Sequence, residues 1–272
     1  MLERLMQQAL KFPMMPPEET HNTAFFYERL HAALGKIALF DTAVWGTIGG
    51  FDFYHCRPRK IDPARKNILI SGGFHGEEPA GSWAIVHFLE TATPKELNAA
   101  NIFLLPLGNP TGFDKNRRHN DWDQDPNQGY DGKPPGPSKE GELLLAHLDE
   151  IVTAAAGGFL SLHEDSDMTQ GYLWSQENAA RPGALTIGVL QVIDRHFGLF
   201  RGKMPHRGHE IDMPLGFGFN VMDNSFEGLL GRHGVPFCAT PETPAHPDVP
   251  IDRRVACHRE VIGKFIELTC GA

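Results

Sequence analysis

The chain has 272 residues, 41% apolar and 10% aromatic, enough to bury a substantial core as one large domain or two small ones. Its net charge of −9, from 25 basic and 34 acidic residues, argues against a nucleic-acid partner. No segment approaches the roughly 20 apolar residues of a membrane span, and the N-terminal stretch lacks an apolar run of signal-peptide length. A cytoplasmic protein without membrane attachment is therefore expected. Cys56, Cys238, Cys257 and Cys270 show no CxxC spacing and read as free thiols of a reducing compartment.

Residues 1–35 read as a partly amphipathic helix broken by Pro13, Pro16 and Pro17. With the residues that follow, they form an N-terminal lead-in element (1–45) to a single catalytic domain spanning 1–272. Residues 36–58 alternate apolar residues with glycine breaks, a hairpin pattern. NILISGG (67–73) is a β-branched apolar run ending in glycine, followed by HGEE and a helical pattern with Pro79 in its first turn. NIFLLPL (101–107) is a second strand, leading into the turn-rich GNPTGF. Residues 114–139 are polar and aperiodic, the profile of a long functional or disordered loop.

A helix is expected over 140–156, then the strand FLSLHED (159–165). GFGFN (216–220) reads as either a lid or an irregular connection, because its glycines allow both. GVPFCATPETP (234–244) is a strand running into a loop, and 252–269 closes the chain as an amphipathic helix. This alternation predicts a three-layer α/β/α fold with a mixed, mostly parallel sheet. Ligands of such sheets bind at the C-terminal strand ends, and His75, Asn109, His163 and Glu242 each sit just past an apolar strand.

His75 and Glu78 form an H-x-x-E pair. An imidazole and a carboxylate at this spacing reach a common point when the backbone turns between them, and Gly76 supplies that freedom. Alone the pair reads more readily as a solvated histidine and helix-start carboxylates. His163, ending another strand, adds a second imidazole at the same crevice. Two histidines and one carboxylate form a catalytic zinc set that leaves a position open for water. His119, His206, His209 and His246 lie in polar loops, where solvation is the default.

Taken together these residues resemble the zinc carboxypeptidase superfamily, which includes murein tripeptide amidases and the succinylglutamate desuccinylase/aspartoacylase branch. HGEE, NPTGF (109–113), RHNDWDQDPNQGY (118–130), SLHED (161–165) and PETP (241–244) match its motifs in order. The resemblance implies a zinc carboxypeptidase-like fold and one zinc ion held by His75, Glu78 and His163. Close metal pairs are common in hydrolases, so the neighbouring Glu77, Glu164 and Asp165 leave a second ion open. It implies that Arg118 polarises the scissile carbonyl, that Asp125 orients His75, and that Glu242 is the general base. Arg117 competes with Arg118 for its position, and Asp121 and Asp123 compete with Asp125. Asn127, Gln128 and Asn109 are expected on the substrate side.

Gln128 stands where the pattern has an arginine that pairs with a substrate carboxylate, and glutamine cannot replace its charge or geometry. Arg117, Arg181, Arg207, Arg253 and Arg254 are the alternative sources of that charge. The stretch 205–241 also lacks the loop tyrosine common in carboxypeptidases. The expectation is amide hydrolysis by attack of metal-bound water on a short or modified peptide. Alternatives are an N-acyl amino acid deacylase and a metal-binding protein without catalysis.

Overall fold

Gly49 and Gly50 take φ values of 58° and 91°, the geometry of a two-residue hairpin turn. They join β1 (Phe40–Ile48) to β2 (Phe51–Pro58) as an antiparallel pair. The computed structural model describes residues 16–206 and 208–271, so the helix expected before Pro16 lies outside the described residues. Within the N-terminal segment, α1 (Thr23–Ile37) buries Phe26, Leu30, Ala33 and Leu34 in the main core, and β1 already belongs to the sheet.

The central strands are β3 (Asn67–Gly72), β4 (Asn101–Leu105), β5 (Phe159–Asp165) and β10 (Phe237–Pro244). β3 runs parallel to β4 and β5, and β5 parallel to β10. All four therefore end at the same edge. Antiparallel strands flank them, with β2 against β4 and β6 (Tyr172–Glu177) against β10. The eight-stranded order is β1-β2-β4-β3-β5-β10-β6-β9, closed at one side by β9 (Phe217–Phe219). GFGFN thus contributes an edge strand parallel to β6 rather than a lid.

Both sheet faces are covered, which is why the central strands read as continuous apolar runs. Ile68 and Ile70 pack with α1, α2 (Pro79–Thr91), α7 (Ala184–Phe197) and α9 (Ile251–Cys270) on one side. Leu69 points the other way, toward α5 (Lys139–Ala146), α6 (Leu148–Ala154) and α8 (Phe226–Arg232). The helix expected over 140–156 is two helices. His147 leaves helical geometry between them, with φ −111° and ψ 19°, and its ring stacks on Trp45 at 4.3 Å. The short helices α3 (Pro94–Ala99) and α4 (Pro110–Asp114) complete the set, and β7 (Gly202–His206) pairs with β8 (His209–Met213) as a separate ribbon. Among the described residues no helix is long and apolar enough to cross a membrane.

Two buried histidines away from the crevice set a pH dependence of stability. His55 lies between the rings of Trp45 and Phe103, and His87 is enclosed within α2. Burial pushes both down to about 4, with Arg57 adding to the effect at His55 and Arg259 at His87. The unfolded chain takes up these protons near pH 6.5 while the folded chain does not. Stability is therefore expected to fall as pH drops from about 6.5 toward 4, by up to about 1.4 kcal/mol per pH unit for each histidine. Urea midpoints at pH 7.5 and pH 5 test this. The loss should be smaller in His87→Leu, and an unchanged pH slope in that variant would contradict the assignment.

Candidate metal centre and active site

β3 delivers His75 through Gly73, whose φ of 68° turns the chain out of the sheet. Gly76 matters for space more than for freedom, since a Cβ there would lie 1.9 Å from the carbonyl carbon of Gly112. The HGEE turn is thereby pressed against the NPTGF turn. Glu78 immediately precedes α2 but makes no capping bond to it. The α2 backbone is served instead by Glu164, whose Oε2 accepts from Ala80 N at 2.7 Å. Glu78 is left to face the histidines.

His75 Nδ1 lies 2.6 Å from Glu78 Oε1, and His163 Nδ1 lies 2.9 Å from Glu78 Oε2. The two Nδ1 atoms are 3.3 Å apart. All three side chains are buried, and one ligand atom from each falls within 4.8 Å of the others. Two ligands about 2.1 Å from one tetrahedral centre stand about 3.4 Å apart, so the imidazole pair has the separation a shared zinc requires. Glu78 thus pairs with both rings. Burial opposes ionisation of His75, yet the Glu78 carboxylate raises its pKa, and raises that of His163 further. Burial likewise works against the Glu78 carboxylate, but the His75 and His163 charges hold it well below the usual range.

The Nε2 atoms point outward. Asp125 Oδ1 is 3.3 Å from His75 Nε2. It is held by Asn127 N at 2.9 Å, while Gln128 Nε2 donates to Asp125 Oδ2, also at 2.9 Å. Ser161 Oγ is 3.0 Å from His163 Nε2, and Glu227 Oε1 is 3.5 Å from it. Glu227 was not legible in the sequence, because a carboxylate in the first turn of an unremarked helix carries no local signal.

Arg118 reaches the cluster, with Nη1 3.5 Å from Glu78 and Nε 3.4 Å from Asp125. Arg117 turns away to the carbonyl of Asn120 and to Asp121. Asp121 is taken by Lys115 and Arg117, and Asp123 by His119. Of the competing pairs, the structure thus brings Arg118 and Asp125 to the histidines.

A cavity of about 460 Å³ opens over the cluster, lined among others by His75, Glu78, Arg118, Asn127, His163 and Glu242. Two residues expected on the substrate side are elsewhere. Asn109 is fully buried as the N-cap of α4, accepting from Gly112 N and donating to the Arg118 carbonyl. Gln128 is exposed outside the cavity, bound to Asp125. His206, expected to be solvated, lines the cavity against Trp174, 3.3 Å from Asp223.

Glu242 sits in register with His163 on one side and Tyr172 on the other. Burial pushes its carboxyl up to about 8; His163 opposes the rise, and Glu78 and Asp165 reinforce it. Tyr172, whose hydroxyl donates to Asp165 at 2.7 Å, is the tyrosine lining the cavity, whereas Tyr130 is buried and donates to the Pro126 carbonyl.

The cavity is acidic. Glu77, Asp165, Asp167, Asp223 and Glu227 join the central carboxylates, and Arg118 is the only lysine or arginine among the described lining residues. Arg253 lies over Phe197 and donates to the His196 carbonyl, Arg254 pairs with Glu164, and Arg181 is exposed elsewhere. Arg207 lies outside the described residues.

Fold and centre together define a metallohydrolase architecture, and comparison with known proteins agrees. The succinylglutamate desuccinylase/aspartoacylase catalytic domain matches residues 64–157. The solved structure of a candidate metallopeptidase from Shewanella denitrificans OS217 is 31% identical over 93% of this chain and 92% of its own, with a TM-score of 0.86. One from Shewanella baltica OS155 is 31% identical over 92% and 93%, with a TM-score of 0.84. A metallo-carboxypeptidase from Pseudomonas aeruginosa, bound to (2-guanidinoethylmercapto)succinic acid, shares the fold at 19% identity, covering 90% of this chain and 68% of its own, TM-score 0.61. No curated protein sequence matches significantly. The chain belongs to the zinc carboxypeptidase superfamily, a class of metal-dependent hydrolases.

Proposed function

We propose that the protein is a zinc-dependent amide hydrolase acting on short or modified peptides. The observation that carries this reading is the convergence of two imidazole Nδ1 atoms and the Glu78 carboxylate beneath a cavity that Glu242 also faces. Zinc held by His75, Glu78 and His163 would supply Lewis acidity, polarising a carbonyl and making a water acidic near neutrality. Glu242 accepts the proton of the attacking water and returns it to the leaving amine, a role suited to a carboxyl whose affinity for protons is raised. Arg118 places its guanidinium where negative charge develops on the carbonyl oxygen. Asn127 binds Phe226 N through Oδ1, which leaves its amide N–H groups to donate to substrate.

The acidic lining bears on substrate charge. A free carboxylate beside the scissile bond would meet many carboxylates with Arg118 as the one described lysine or arginine to offset them, so neutral or amine-bearing amides are favoured over C-terminal acids. A second reading, deacylation of N-acyl amino acids, is favoured by the family match over residues 64–157. Free-acid peptides, their C-terminal amides and N-acyl amino acids, assayed with and without zinc, separate the readings. Amine release is expected with zinc and faster from the amidated series. Arg118→Ala should lower kcat about 100-fold with zinc content unchanged. A zinc-loaded protein that cleaves no member of the panel would overturn the proposal in favour of metal binding without catalysis.

A further inference from the structure

We infer that Glu227 is the positioning carboxylate of His163, so that each histidine of the centre is held from behind by its own acid. The inference rests on the metal reading above. His75 and His163 are arranged alike: Nδ1 turns toward Glu78 and Nε2 turns outward. An imidazole that coordinates through Nδ1 must carry its hydrogen on Nε2, and an acceptor there fixes both tautomer and ring plane. Asp125 occupies that place for His75. For His163 the place is taken by Ser161 Oγ at 3.0 Å and Glu227 Oε1 at 3.5 Å.

The bland account of Glu227 is a carboxylate complementing the first turn of α8. Such a residue would face solvent, whereas Glu227 is only 4% exposed. A buried carboxylate is retained where a cation or donor faces it. Glu227 Oε1 has no hydrogen-bond partner among the described residues and lies 3.5 Å from His163 Nε2, beside the Ser161 hydroxyl that bonds the same nitrogen. The helix start is locked in place. Phe226 packs its ring against Phe74 and Phe159 at 5.4 and 5.6 Å, and Ser225 caps Gly228 N. Asn127 ties the two acids together, its N–H bound to Asp125 and its Oδ1 to Phe226 N. The acids behind the two ligands thus belong to one hydrogen-bonded frame, although they lie in a loop and a helix far apart in the chain.

The test is zinc affinity, measured by competition with a chromophoric chelator, alongside the thermal midpoint of the zinc-free protein. Glu227→Gln should weaken zinc binding about 10–100-fold, as Asp125→Asn should at the other histidine. The cobalt-substituted variant should show a shifted visible spectrum. Glu140→Gln, a buried carboxylate bound to Asn120 and away from the ligands, should leave affinity unchanged. Should Glu227→Gln fold poorly, Glu227→Asp keeps the charge while withdrawing it from the ring, and a smaller but measurable weakening is expected. Unweakened zinc binding in a folded Glu227 variant, with wild type binding one equivalent, overturns this inference alone. Wild-type protein that takes up no zinc overturns it together with the metal reading.

Discussion

His75→Ala and His163→Ala are each expected to lower bound zinc from one equivalent to almost none after dialysis, and to abolish amide hydrolysis. The loss should exceed the roughly 10–100-fold that follows from removing an outer hydrogen-bond partner, because a coordinating atom itself disappears. The three candidate ligands are also interdependent in the absence of an ion. Glu78 is buried and is held by both imidazoles, at 2.6 and 2.9 Å. Deleting one ring strips a buried carboxylate of one of its two imidazole partners, leaving Glu164 N and Arg118 beside it, a class of change that typically costs about 3–5 kcal/mol. Circular dichroism and a thermal scan should therefore accompany elemental analysis. A folded variant of either histidine that retains a full equivalent of zinc would refute the ligand assignment.

Glu242→Gln should behave differently. Zinc content is expected to stay at the wild-type level and KM to change little, while kcat falls about 10²–10⁴-fold, the usual contribution of a positioned general base. The amide keeps the size of the side chain and its place between His163 and Tyr172 in the ladder, but it cannot hold the transferred proton. Turnover within tenfold of wild type at equal zinc loading would remove Glu242 from the mechanism. Paired with the histidine variants, it separates loss of the metal from loss of the base.

The elements carrying the centre were largely readable. FLSLHED was expected over 159–165, where β5 lies, and NILISGG ended one residue past β3. Both are buried on two faces, so their apolar runs are unbroken and end abruptly where the chain reaches the crevice. The aperiodic stretch after Lys115 also proved to be a loop, held by Asn120 through bonds to Trp122 N, Gln124 N and Glu140. The region from Tyr172 to Arg232 was the least legible. β9 and the β7–β8 ribbon lie at a sheet edge or outside the main sheet, and α8 is a single short helix. Their apolar residues are too few or too short in period to stand out.

What the sequence by itself determined is the set of local junctions: an apolar strand that ends three residues before His75, another that carries His163 near its end, a third that carries Glu242. Continuous burial writes itself into contiguous residues, so these survive without any knowledge of contacts. Tertiary structure alone decided what faces what. Arg118 rather than Arg117 meets Glu78, Gln128 braces Asp125 instead of entering the cavity, and Asn109 caps a helix. Glu227 stands behind His163 from 64 positions further along the chain. Such relations depend on side-chain direction at a turn and on elements meeting across the sheet, and neither leaves a pattern in neighbouring residues.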